Sequence, residues 1–116
     1  MTDPSRPSDS AAPERFQCEV QTERGAVRVS PIGELDLATV PKLDACLAEL
    51  RESGFRQLIV DLSRLEFIDS TGLRLLLRYD ADARQDGFRF SLTSGPTAVQ
   101  RIFELSGTLG LLTFTD

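Results

Sequence analysis

The chain contains no histidine and no tryptophan, and Lys42 is its single lysine. Without histidine a Ser-His-Asp triad cannot be assembled, and one lysine leaves little scope for a Ser-Lys pair. The 116 residues also contain no G-x-S-x-G sequence, the sharp turn that presents a nucleophilic serine in many hydrolases. We therefore expect that the protein is not an enzyme, and a small hydrolase is a disfavoured alternative.

Metal and nucleotide sites also lack their usual ligands. With no histidine and no CxxC motif, only carboxylates could bind a metal, and their spacing does not match a calcium loop. The glycines at 107 and 110 lack the third glycine and the Lys-Ser/Thr pair of nucleotide-binding loops. We predict no metal and no cofactor, and a nucleotide-binding enzyme is disfavoured in the same way.

The charge balance and the hydrophobic pattern restrict the partners. The net charge is −5 and the sequence pI is near 4.7, with scattered arginines, so a nucleic-acid surface is not expected. No apolar run is long enough to span a membrane, and the first residues do not resemble a signal peptide. These features predict a cytoplasmic protein. In that reducing compartment Cys18 and Cys46 are interpreted as small buried hydrophobic residues.

The length of 116 residues is typical of one small domain with a single core. Residues 1–15 carry three prolines among polar residues and alanines, with no apolar periodicity, and are predicted to form a disordered tail. The domain is therefore expected to span residues 16–116.

Apolar patterns predict five strands and three helices. The strands are expected near residues 16–21, 27–32, 58–62, 88–93 and 111–114. The helices are expected to begin near Thr39, at Ser70 and after Pro96, and to end near residues 53–54, Gly87 and Gly107. Pro31 should end the second strand near Ile32, which leaves residues 33–36 as a strand-to-helix loop.

This order of elements predicts an α/β fold with a small, mixed, largely parallel five-stranded sheet. Binding sites in such sheets gather in the loops that follow the carboxyl ends of strands. Two of these loops, residues 33–36 and 69–72, carry carboxylates. The third, residues 94–97, is polar and uncharged.

Ser70 is predicted at or beside a helix N-terminus, where free backbone N–H groups favour an oxygen or a phosphate. Capping alone would explain such a residue, since Ser, Thr and Asp are common N-cap residues. The alternative is that charge is added to and removed from this hydroxyl. Gly72 can likewise be interpreted as a plain small residue or as space for a close-approaching partner.

Four segments in order resemble the bacterial anti-sigma factor antagonists of the STAS domain family. They are Gly-Glu-Leu-Asp-Leu-Ala-Thr at 33–39, Val-Asp-Leu at 60–62, Phe-Ile-Asp-Ser-Thr-Gly-Leu at 67–73 and Arg-Ile-Phe-Glu-Leu-Ser-Gly at 101–107. The resemblance covers residues 16–116. It implies a right-handed βα superhelix with a small mixed sheet.

The resemblance also implies that Ser70 is phosphorylated by an anti-sigma factor that is a serine kinase, with Thr71 a less favoured acceptor. The unphosphorylated antagonist would bind this kinase and release a sigma factor, and a serine phosphatase would reset the switch. Residues matching the family's switch and partner-contact positions are Asp36, Asp69, Ser70, Thr71 and Gly72.

Arg74 departs from the family pattern, because many relatives have glycine at this position. We include it among the partner-binding candidates, since a bulky cation there would change how closely a partner approaches. The expected state is a monomer or weak dimer. The alternative function is a non-phosphorylated STAS interaction subunit of a signalling scaffold or lipid-transport assembly.

Overall fold

The computed structural model describes residues 16–115. The predicted tail at residues 1–15 lies outside this range. The strands are β1 (Gln17–Glu23), β2 (Ala26–Leu35), β3 (Gln57–Asp61), β4 (Leu65–Ile68) and β5 (Arg89–Thr93). The helices are α1 (Val40–Glu52), α2 (Ser70–Asp86) and α3 (Thr97–Ser106), with short 3-10 helices at Leu62–Arg64 and Leu109–Leu111.

The strands form one mixed sheet in the order β1-β2-β3-β5, with β4 also paired to β2. β1 and β2 are antiparallel, as expected for a hairpin, whereas the β2–β3, β2–β4 and β3–β5 pairs are parallel. The predicted fold class, a largely parallel five-stranded sheet with three helices, is therefore confirmed.

The second strand is longer than predicted, because it continues through Pro31 to Leu35. Its parallel partners change along its length: residues 27–29 pair with β3, and residues 33–35 pair with β4. Pro31 lies between these two segments and is paired with neither β3 nor β4. The proline therefore interrupts no parallel pairing. Residues 33–35 are consequently strand rather than loop, and the loop begins at Asp36.

A strand that the sequence did not predict follows β3. The Asp61 side chain accepts a hydrogen bond from the backbone N–H of Ser63 at 2.9 Å, and the chain turns through the 3-10 helix there. It then returns to the sheet as β4, whose four residues are too few for a clear periodic pattern.

The predicted last strand at residues 111–114 was wrong. Leu111 is the last residue of a 3-10 helix, and only an isolated parallel bridge joins Phe114 to Leu92. Two hydrogen bonds hold it, from Leu92 N–H to the Thr113 carbonyl and from Thr115 N–H to the Leu92 carbonyl. The fifth strand of the sheet is therefore β4.

All three helices contribute apolar side chains to one core. Leu43 and Leu47 come from α1, Leu73 and Leu76 from α2, and Phe103 from α3. These helices pack against fully buried strand residues, among them Val27, Val29, Leu58, Val60 and Leu92. Within residues 16–115, no helix is both long and apolar enough to cross a membrane.

Candidate functional site

Asp69 is the N-cap of α2. Its Oδ1 accepts hydrogen bonds from the backbone N–H groups of Thr71 at 2.9 Å and Gly72 at 3.1 Å. Two N–H groups that have no partner within the helix are thereby satisfied. The predicted helix start is confirmed, but the capping side chain is Asp69 and not Ser70.

Ser70 is the first residue of α2, and it is exposed. Its hydroxyl makes no hydrogen bond to any residue of the described range 16–115. Capping does not account for this side chain, because Asp69 already performs it. A free, exposed hydroxyl at a helix N-terminus is open to an incoming reagent or partner.

Thr71 has a different environment from its neighbour. It is partly buried and lines a groove of about 550 Å³ between α1 and α2, beside Val40, Arg74 and Leu75. Ser70 is therefore more exposed than Thr71, and the choice between them as phosphate acceptor stays a prediction.

Asp36 organises the loop between β2 and α1. Its Oδ1 accepts hydrogen bonds from the backbone N–H groups of Ala38 at 3.0 Å and Thr39 at 3.1 Å. The buried Thr39 hydroxyl donates to the Glu34 carbonyl at 2.7 Å and accepts from the Asp36 N–H at 2.9 Å. This carboxylate therefore fixes the shape of its own turn, which we call the Asp36 turn (residues 36–39).

The Asp36 turn lies beside the start of α2. Leu35 and Ile68, the last residues of β2 and β4, are register partners in a parallel pair. Asp36 and Asp69 each follow directly, so the two predicted acidic loops meet at one edge of the sheet. The structure brings together Asp36, Asp69, Ser70, Thr71 and Gly72, and their role in partner contact stays a prediction.

Gly72 is a buried residue in the first turn of α2. A Cβ atom here would lie 2.9 Å from both Ile68 Cγ1 and Leu35 Cγ, closer than real Cβ contacts. Packing between α2 and the strand ends is thus sufficient reason for glycine. Its contact with a partner stays a prediction.

Two exposed apolar side chains near this edge were not among the predicted site residues. Leu37, in the Asp36 turn, is 74% exposed, and Phe67, in β4, is 47% exposed. Phe67 is paired in register with Glu34, whose side chain is also exposed. The sequence shows both as large apolar residues beside polar loop positions. Their exposure, however, is set by the tertiary fold, so the sequence alone did not mark them as site residues.

Arg74 is exposed one helical turn after Ser70, and it makes no ion pair with another residue of the described chain. Residues four apart lie on the same face of a helix. Arg74 therefore places a cation on the same face of α2 as Ser70, next to Thr71 in the groove between α1 and α2. Within residues 16–115, no group of three or more Cys, Asp or Glu side chains could hold a metal ion.

The comparisons with known proteins agree with this geometry. A family model described as "Mlab, STAS domain" matches residues 18–113. The anti-sigma-B factor antagonist of Staphylococcus aureus is 31% identical over 94 residues, covering 81% of this chain and 87% of that protein.

Two solved structures are similar over most of their length. An anti-sigma factor antagonist from Mycobacterium paratuberculosis has a TM-score of 0.74 and 26% identity, covering 90% of each chain. The Bacillus cell fate determinant SpoIIAA in its phosphorylated form has a TM-score of 0.64 and 25% identity, covering 87% of this chain and 91% of that one. With the family match spanning most of the sequence, this chain belongs to the STAS domain family.

Proposed function

We propose that this chain is an anti-sigma factor antagonist whose binding to its partner is switched by phosphorylation of Ser70. The observation that carries the proposal is the exposed Ser70 hydroxyl, unbonded within the described chain, beside a capping Asp69. The similarity to proteins named anti-sigma factor antagonists, one of them solved in a phosphorylated form, supports it.

The surface around Ser70 suits docking of another protein. Leu37 and Phe67 supply exposed apolar area near the acidic edge. Their positions are set by rigid neighbours, because the Asp36 turn is held by side-chain hydrogen bonds and β4 is paired to β2. A backbone that is already fixed in the free protein has little conformational freedom to lose on binding.

A phosphate on Ser70 would add a charge of about −1.5 to −2 to this surface. The N–H groups of Thr71 and Gly72 already donate to Asp69, so the phosphate gains few hydrogen bonds from them. The phosphate also lies next to the negative charge of Asp69. The positive end of the α2 dipole still tolerates this charge, so the fold should remain intact. The cost falls on the interface, through added bulk and like-charge repulsion.

The partner proposed is an anti-sigma factor with serine kinase activity, and a serine phosphatase would restore the unmodified form. In this scheme the chain is the substrate of an enzyme rather than an enzyme itself, and it acts in the cytoplasm as a monomer or weak dimer. Asp36, Asp69, Ser70, Thr71, Gly72 and Arg74 form the proposed contact surface, extended by Leu37 and Phe67.

The proposal is tested by incubating the protein with ATP and the candidate kinase encoded near it, followed by intact mass and site mapping. One phosphate on Ser70, absent from Ser70→Ala and kept in Thr71→Val, is the expected result. Phosphate in Ser70→Ala would assign Thr71 or another acceptor instead. A kinase that binds but transfers no phosphate would favour the non-phosphorylated interaction subunit.

A further inference from the structure

The two cysteines lie side by side although they are distant in sequence. Cys18 is on β1, two residues from the buried Phe16, and so faces inward with it. Cys46 is on the inward face of α1, next to the buried Leu47, and α1 packs against β1. Both thiols adjoin the core and interact with each other, and both are partly accessible to solvent.

The two thiols have different acidities. A hydrogen bond from the Cys18 thiol lowers the pKa of Cys46 to about 7, although burial and the nearby Glu49 oppose the change. The same hydrogen bond, together with burial, raises the pKa of Cys18, and Lys42 opposes this only weakly. Cys46 is therefore the more readily ionised thiol of the pair, and the thiolate is the nucleophilic form of cysteine.

We propose that Cys18 and Cys46 are a redox-active pair that forms an intramolecular disulfide when the protein meets a hydroperoxide. The pair is separate from the Ser70 surface, and the inference does not depend on the function proposed for that surface. It is an alternative to the interpretation of the two cysteines as small buried hydrophobic residues, and both side chains are only partly buried.

The chemistry takes two steps with hydrogen peroxide as oxidant. The Cys46 thiolate attacks one peroxide oxygen, the O–O bond breaks, and a sulfenic acid and hydroxide result. Cys18 sulfur then attacks the Cys46 sulfur, the S–S bond forms, and the S–O bond breaks to release hydroxide, which leaves as water with the Cys18 proton. Two thiols lose two electrons in total, and a dithiol reductant reverses the reaction by exchange.

The fully reduced protein, treated with hydrogen peroxide and then with N-ethylmaleimide, tests the proposal. We expect a monomer that has lost two hydrogen atoms, carries no maleimide, and yields a Cys18–Cys46 cross-linked peptide on proteolysis. Addition of dithiothreitol should restore both maleimide-reactive thiols. Two thiols that remain reactive after treatment, intermolecular dimers, or sulfinic acid without a cross-link would each overturn it.

Single variants distinguish a cooperating pair from two independent thiols. Cys18→Ser should stop at the sulfenic acid on Cys46, which dimedone traps, because the resolving thiol is missing. Cys46→Ser should oxidise more slowly than the unmodified protein, because the thiol with the lowered pKa is missing, and it should form no internal cross-link. Equal oxidation rates in both variants and the unmodified protein would contradict the assigned roles.

Discussion

The backbone N–H of Asp69 donates a hydrogen bond to the carbonyl oxygen of Leu35, with 3.1 Å between nitrogen and oxygen. This bond continues the β2–β4 pairing by one residue, into the junction where α2 begins. It fixes the Asp36 turn and the start of α2 relative to each other. A protein that docks at Ser70 therefore meets both acidic loops as one surface.

Ser70→Asp should weaken binding to the partner kinase by about tenfold or more, equivalent to about 1.4 kcal/mol. The substituted carboxylate places negative charge beside Asp69, where the phosphate is proposed to act. The melting temperature should change little, because Ser70 is exposed and the helix dipole favours the charge. Titration calorimetry and a thermal melt measure the two quantities.

Ser70→Asn is the matched control, since it has the size of aspartate without its charge, and it should bind nearly as well as the unmodified protein. If Ser70→Asp bound as tightly as Ser70→Asn, charge repulsion would not be the basis of the switch.

Asp69→Ala should lower the free energy of unfolding by about 1 kcal/mol, because the N–H groups of Thr71 and Gly72 lose their acceptor. Asp69→Asn keeps a side-chain oxygen and should retain most of the stability. Urea denaturation of the three proteins makes the comparison. An alanine variant as stable as the unmodified protein would show that the cap is not needed.

The start of α2 could be predicted from sequence because its causes are local. A polar residue that can cap, followed by leucines at helical spacing, is contained within residues 69–77. The meeting of the two acidic loops followed from one general rule, that parallel strands present their carboxyl ends at the same edge. Neither inference needed the identity of distant contacts.

Other features depended on contacts between residues far apart in the chain. Strand β4 has four residues and exists because β2 offers a second pairing edge beyond Pro31. The exposure of Leu37 and Phe67, and the approach of Cys18 to Cys46, follow from how the elements pack. No local sequence pattern predicts the exposure or contacts of such residues, since the same residue types also occur in buried cores.

Gly72→Ala should destabilise the domain by about 1–3 kcal/mol, because the added methyl group would overlap Leu35 and Ile68 in a closely packed region. Gly110→Ala is the control, since open space surrounds that position, and its effect should be small. Chemical denaturation gives both values. Equal stability of the two variants would contradict the packing role of Gly72.

Arg74 should stabilise the dianionic phosphate on Ser70 from its position four residues later on α2. An exposed pair at this spacing contributes about 0.3–0.5 kcal/mol, so Arg74→Gln should raise the second phosphate pKa by roughly 0.2–0.4. Phosphorus NMR of the phosphorylated protein, recorded across a pH titration, measures this shift.

Arg89→Gln is the matched control for Arg74, because Arg89 is also exposed but follows the opposite end of α2. That end lies roughly 24 Å along the helix axis from Ser70. The phosphate pKa should be unchanged in this variant. Identical phosphate titrations for Arg74→Gln and the unsubstituted phosphoprotein would show that Arg74 does not interact with the phosphate.

Tyr79 joins α2 to α1 and should make stability fall at high pH. Its hydroxyl donates to Asp44 Oδ1 at 3.0 Å, and Arg78 pairs with the same oxygen at 2.8 Å. Burial, followed by the hydrogen bond to Asp44, raises the pKa of Tyr79 to about 12 from its ordinary 10. The folded state therefore keeps its proton where the unfolded state loses it.

Because the unfolded chain binds fewer protons above pH 10, the free energy of unfolding should decrease between about pH 10 and 12, by roughly 2–3 kcal/mol in total. Tyr79→Phe cannot ionise and should lack this part of the decrease, although other groups titrate in both proteins. Tyr79 is the single tyrosine, so tyrosinate absorbance reports its pKa directly. A tyrosinate absorbance midpoint near pH 10 in the folded protein would contradict the raised pKa of Tyr79. A Tyr79→Phe variant whose stability has the same pH profile as that of the unmodified protein would contradict the role of Tyr79 in the decrease at high pH.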